Sequence, residues 1–103
     1  MNPWRGEVEV VVDGRPVAAR LTLGALAELE ASMESGSLVE LVERFERGGF
    51  SARDILALLA AGLRGGGWEG TRADLARAEI GGGPVGAARA AAELLSLAFR
   101  VPE

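Results

Sequence analysis

The stretch Arg20-Leu21-Thr22-Leu23-Gly24-Ala25-Leu26-Ala27-Glu28-Leu29-Glu30 passes straight from a strand into a helix, and no other part of the chain limits the fold as much. Thr22 reads as an N-cap, because its hydroxyl accepts a bond from an otherwise unpaired N–H of the first helical turn. Leu21 before the cap and Leu26 four residues after it have the spacing of a hydrophobic staple, which fixes the angle between strand and helix. The direction of the first helix is therefore written locally.

Upstream, Glu7-Val8-Glu9-Val10-Val11-Val12 alternates and is rich in β-branched residues, Asp13-Gly14 signals a tight turn, and Pro16-Val17-Ala18-Ala19-Arg20-Leu21 follows. A two-residue loop sets Val10 opposite Val17 and Val8 opposite Ala19. One face then carries all four together with Val12 and Leu21. An isolated hairpin is at best marginally stable, so helices must cover that face.

Five helices are predicted. The first spans 23–35 with Leu26, Leu29 and Met33 as its stripe and Gly36 as its terminator. The second follows a Ser37/Glu40 capping box and buries Leu38, Leu41, Val42 and Phe45, with Glu40–Arg44 and Glu43–Arg47 as exposed ion pairs. The third starts at the Ser51 cap, with Phe50 stapled onto Ile55, and is apolar nearly all round from Ile55 to Leu63; this marks it as the central, buried helix. A short fourth helix, capped at Thr71 and anchored by Leu75 and Ile80, ends before Gly81. The fifth runs from Pro84 to about Phe99, with Arg89, Glu93, Ser96 and Arg100 as a narrow polar stripe. The expected class is α+β: an N-terminal hairpin over 7–21, then a mostly helical part over 22–100, in one domain spanning 1–103.

Composition removes most chemistry. The 103 residues include no cysteine, histidine or tyrosine, and every basic residue is arginine. Thiolate chemistry, imidazole bases and ligands, and Schiff-base amines are thereby excluded. The net charge of −4 disfavours generic attraction to nucleic acid or an anionic membrane. Residues 1–6 do not read as a secretory signal and no apolar run reaches membrane-spanning length, so the expected location is cytoplasmic.

Gly65-Gly66-Gly67-Trp68-Glu69-Gly70 matches the dinucleotide-binding glycine pattern, but a helix precedes it where the motif needs a strand, and the phosphate-binding lysine of a P-loop is missing. It reads as a linker. Glu30 with Glu34 reads as a solvated face, and Arg53, Arg64, Arg72 and Arg77 as surface charge around the third and fourth helices. Trp4 and Trp68 read as packing residues, Trp68 being the better interface candidate. A helix-turn-helix reading of the second and third helices is disfavoured because the would-be recognition helix is led by Asp54 and is otherwise apolar, with one arginine near its start.

Several stretches carry a family resemblance: Asn2-Pro3-Trp4-Arg5-Gly6-Glu7, Asp13-Gly14-Arg15-Pro16, the Leu21–Glu30 run, Gly36-Ser37-Leu38, Phe50-Ser51-Ala52-Arg53-Asp54-Ile55 and Leu63-Arg64-Gly65-Gly66-Gly67. Together they resemble the small tail protein of alphaproteobacterial gene transfer agents and related prophages, a family placed among phage tail assembly chaperones and also labelled a tail tube protein. The resemblance implies a non-catalytic protein acting while a long tail is built; no cofactor, metal or small-molecule ligand is expected. Its implied role is to hold the tape measure protein soluble while tube subunits polymerise around it. Tube subunits are a further implied partner, and homo-oligomerisation is left open. A tube subunit is expected to bring extended sheet to a ring, whereas this chain offers one hairpin, so the chaperone is favoured over a structural tube component. A small nucleic-acid-binding regulator is the remoter alternative. Helices one and five and the free hairpin edges are the expected apolar surface for a client, with Leu26, Leu29, Met33, Trp68, Leu94, Leu97 and Phe99 as candidate partner-binding residues.

Overall fold

A computed structural model describes residues 6–33 and 37–99. The elements are β1 (Glu7–Val12), β2 (Arg15–Arg20), α1 (Leu23–Ser32), α2 (Leu38–Arg47), α3 (Ala52–Gly65), α4 (Arg72–Arg77) and α5 (Gly83–Ala98). This is the α+β arrangement expected, a hairpin followed by five helices. Trp4, the Asn2-Pro3 start, Glu34, the Gly36 terminator and Arg100 lie outside the described residues.

The hairpin has the register its hydrophobic pattern demands. Val10 pairs with Val17 and Val8 with Ala19, across a turn whose two central residues both have positive φ, 51° at Asp13 and 80° at Gly14. Such a turn matches the twist of the flanking strands. Val8, Val10, Val12 and Ala19 are buried, and Val17 and Leu21 pack against them.

At its tip the hairpin gains a short third partner that local patterning does not reveal. Val12 bridges Ile80; Asp13 N–H donates to the Glu79 carbonyl at 2.8 Å and Gly81 N–H to the Val11 carbonyl at 2.9 Å. The expected helix up to Gly81 therefore stops at Arg77, because the backbone of Glu79 is committed to the hairpin and is lost to a helical ladder. The β1 edge, expected to be free, is occupied at this end.

The central helix is α3, as its all-round apolarity requires. Leu58, Leu59 and Leu63 are at most 2 % exposed, enclosed by β2, α1, α4 and α5. Its C-terminal glycines have a packing role: a Cβ at Gly65 would collide with the Arg20 carbonyl, and one at Gly66 with the Ala18 carbonyl. These glycines let the helix end abut β2, which accounts for the pattern read as a linker. Gly62 does the same against α5, where a Cβ would stand 2.8 Å from Leu94 Cδ1.

The helix starts follow their local signals. Thr22 Oγ1 accepts from Ala25 N–H at 3.0 Å, and Ser51 with Asp54 and Thr71 with Asp74 each form a reciprocal capping box. At α2 only half of the expected box forms among the described residues: Ser37 accepts from Glu40 N–H at 3.3 Å. The helix ends at Gly48, which is left-handed with φ 73°. Pro84 sits in the first turn of α5, whose buried face is Ala87, Ala90, Ala91, Leu94 and Leu95.

The exposed pairing on α2 is redistributed. Glu43–Arg47 is present, loosely, at 3.8 Å, but Arg44 turns from Glu40 to Asp54 on α3, with Nε and Nη2 donating to the two carboxylate oxygens at 3.0 and 2.9 Å. Asp54 is already held by the Ser51 N–H. A bidentate partner so fixed demands less ordering than a free glutamate on the same helix. Phe50, expected to staple onto Ile55, stacks on Phe45 with ring centroids 4.6 Å apart. The Arg44–Asp54 pair joins α2 to α3, and the Phe45–Phe50 stack joins α2 to the turn before α3.

Candidate functional site

An apolar groove of about 890 Å³ lies at the hairpin tip. One wall is the first half of α3, with Ile55, Leu56 and Leu59; α4 contributes Leu75 and Ala76; residues 78–83 and the start of α5 complete it, and Val11, Asp13 and Gly14 close the hairpin end. Local chemistry sets each wall. The Ser51/Asp54 and Thr71/Asp74 boxes fix where α3 and α4 begin, and the Asp13 carboxylate, accepting from Glu79 N–H at 2.8 Å, holds the extended segment after α4. Among the described residues, the charged ones lining the groove are Asp13 and Glu79, both acidic.

A second, smaller hollow of about 460 Å³ lies among Ser32, Met33, Arg44, Ser51, Arg53, Asp54 and Arg72. Burial pushes the Asp54 carboxyl up, but the hydrogen bonds from Arg44 and Ser51 outweigh this and hold it below the usual carboxylate range. The Arg44 guanidinium is raised in turn, chiefly by its hydrogen bond to Asp54. At α4, bonds from Thr71 lower the Asp74 carboxyl. The four arginines read as surface charge have different surroundings: Arg53 and Arg72 line this hollow, Arg64 pairs with Glu28 on α1 at 2.7 Å, and Arg77 pairs with Asp74 at 3.0 Å.

These carboxylates serve as caps and ion-pair partners. Among the described residues no three acidic side chains gather as a metal site, and no buried side-chain polar atom lacks a partner. The groove accordingly offers apolar contact bounded by negative charge.

The seven candidate partner-binding residues do not gather in it. Leu29 and Leu94 are core residues, each 1 % exposed. Leu26 is half-buried on α1; Met33, Trp68 and Leu97 are half-buried against the core, Met33 also lining the second hollow. Phe99 is 45 % exposed. Other large apolar side chains at the surface are Leu23, Val39, Val85 and Val11. Ile55, Leu75 and Ile80 read in the sequence as packing residues, because the groove they line forms only where the hairpin tip meets residues 79–81. The available signal was that Ile55 and Leu56 extend the apolar surface of α3 to its N-terminal half, where they are half-buried.

A family model described as "Phage tail tube protein, GTA-gp10" matches residues 5–101. The chain belongs to this phage tail family. No curated protein and no solved structure matches it. In this family member the sheet is contacted within the fold by Ile80, which bridges Val12, and by the α3 glycines, which lie against the β2 carbonyls. No described helix is long and apolar enough to cross a membrane.

Proposed function

We propose that this phage tail family member acts as a non-catalytic assembly chaperone that binds the tape measure protein while the tail is built. The observation that carries this reading is the condition of the sheet. Among the described residues it has two strands, β1 is bridged by Ile80 near the tip, and β2 carbonyls abut the end of α3. A subunit that closes a ring by strand pairing needs open, extended edges, whereas here the β1 edge is engaged at its tip and the end of α3 lies against the Ala18 and Arg20 carbonyls of β2. An apolar groove and scattered exposed apolar side chains instead suit reversible helical contacts. Several copies coating one client gain avidity without a tight single contact, and a net charge of −4 favours solubility of such an assembly.

The family's description supports a second reading, a structural component of the tail tube. Co-expression with the tape measure protein of the same gene cluster, followed by co-purification and size-exclusion chromatography with light scattering, separates the two. A soluble complex with several copies per client is the expected result. Stoichiometric assembly with tube subunits while the tape measure protein stays insoluble establishes the structural reading.

A further inference from the structure

We propose that the groove at the hairpin tip receives one amphipathic helix of the client, with an apolar face flanked by lysine or arginine; this deepens the chaperone reading and rests on it for the client's identity. The backbone along the groove decides between helix and strand. Glu79 N–H and C=O and Gly81 N–H are bonded to the hairpin, Ala78 N–H is bonded to the Leu75 carbonyl, and the Ile80 carbonyl accepts from Gly83 N–H. With these groups committed, the segment offers no continuous ladder to an added strand, so an occupant must arrive with its own backbone bonds satisfied, as a helix does.

The walls decide the chemistry of the facing side chains. Ile55, Leu56 and Leu75 present apolar surface, and Ala52 and Ala76 leave room above it. Such a surface takes side chains in the i, i+3, i+4, i+7 pattern of a docked helix. Asp13 and Glu79 are the charged lining residues among those described, and the chain as a whole is acidic. A second copy would therefore meet like charge, whereas basic flanks on the occupant meet opposite charge. A small molecule is poorly served, since orientation within a pocket needs convergent polar groups and one Asp13 carboxylate oxygen is already bonded to Glu79 N–H.

The test uses the full-length protein, the full tape measure protein for pull-down, and overlapping tape measure peptides of about 20 residues, some 30 Å long when helical, for fluorescence anisotropy. Ala76→Arg places bulk and positive charge in the groove from an exposed position, and Ala92→Arg places the same charge on an exposed site of α5 outside it. Asp13→Asn with Glu79→Gln removes the two lining charges while keeping shape and hydrogen-bond acceptors. Circular dichroism and thermal melts establish that each variant is folded. The expected result is that basic amphipathic peptides bind, that Ala76→Arg weakens them about tenfold or more and Ala92→Arg does not. The double variant is expected to weaken them about threefold and reduce the salt dependence. Wild-type capture of the client with equal capture by Ala76→Arg overturns the groove and leaves the chaperone standing. Preferential binding of acidic peptides overturns it too. Failure of the wild-type protein to capture the client overturns the chaperone reading and the docking proposal with it.

Discussion

Asp13 and Glu79, 66 residues apart, are joined by two hydrogen bonds of 2.8 Å: Asp13 N–H donates to the Glu79 carbonyl, and Glu79 N–H donates to the Asp13 carboxylate. A turn residue thereby fastens the tip of the hairpin to the segment between α4 and α5 and closes one end of the groove. Asp13 does so with φ 51°, a left-handed backbone that aspartate tolerates better than most residues.

Substitutions at Asp13 are expected to order accordingly. Asp13→Asn keeps an acceptor and tolerates the turn, costing under about 1 kcal/mol. Asp13→Gly relieves the backbone but loses the bond to Glu79, costing about 1 kcal/mol, and Asp13→Ala loses the bond and strains the turn, costing about 2–3 kcal/mol. Urea unfolding of the three variants measures the order directly.

Arg44 and Asp54 tie α2 to α3, and their ion pair predicts a pH dependence. A carboxyl held below its ordinary value in the fold binds fewer protons folded than unfolded. The stability it contributes is present above the unfolded value, near pH 4, and is lost as pH falls through the lower folded value. Asp54→Asn is expected to cost about 2 kcal/mol at neutral pH and to flatten stability against pH below about 4. A residual slope of the same sign remains from Asp74, whose carboxyl is also lowered. Chemical denaturation at a series of pH values reads both effects.

Glycine-to-alanine changes should differ in sign by position. At Gly24, in the first turn of α1, an added Cβ meets only Thr22 Oγ1 at 3.9 Å, so Gly24→Ala is expected to stabilise by about 0.5 kcal/mol through helix propensity. At Gly65 the added methyl runs into the Arg20 carbonyl, and Gly65→Ala is expected to destabilise by about 2 kcal/mol despite the same propensity gain. Thermal melts of the pair distinguish backbone entropy from close approach.

Candidate contact residues should separate by burial when changed to alanine. Leu29→Ala and Leu94→Ala each open a hole in the core and are expected to cost about 2–5 kcal/mol; Phe99, 45 % exposed, is expected to cost about 1 kcal/mol or less. Tape measure binding lost only in the first two variants, in step with stability, therefore reports folding. Loss in Phe99→Ala with an unchanged melt reports contact at the end of α5.

What the sequence determined by itself is local. The Val10–Val17 register follows from a two-residue turn and a period of two, the Thr22, Ser51 and Thr71 caps from hydroxyls three residues ahead of the N–H groups they bind, and the centrality of α3 from apolar residues on every side. Each of these is decided by neighbours within a few positions, so a linear reading suffices. Tertiary structure alone decided the bonds between Asp13 and Glu79, the turn of Arg44 from Glu40 to Asp54 and the fit of Gly65 against the Arg20 carbonyl. Polar backbone and charged groups accept any partner of the right chemistry, and which one they find depends on which surfaces the apolar core has already brought together. The groove is a product of that second kind of decision, since its walls come from α3, α4, α5 and the hairpin tip, and no one of them encodes it.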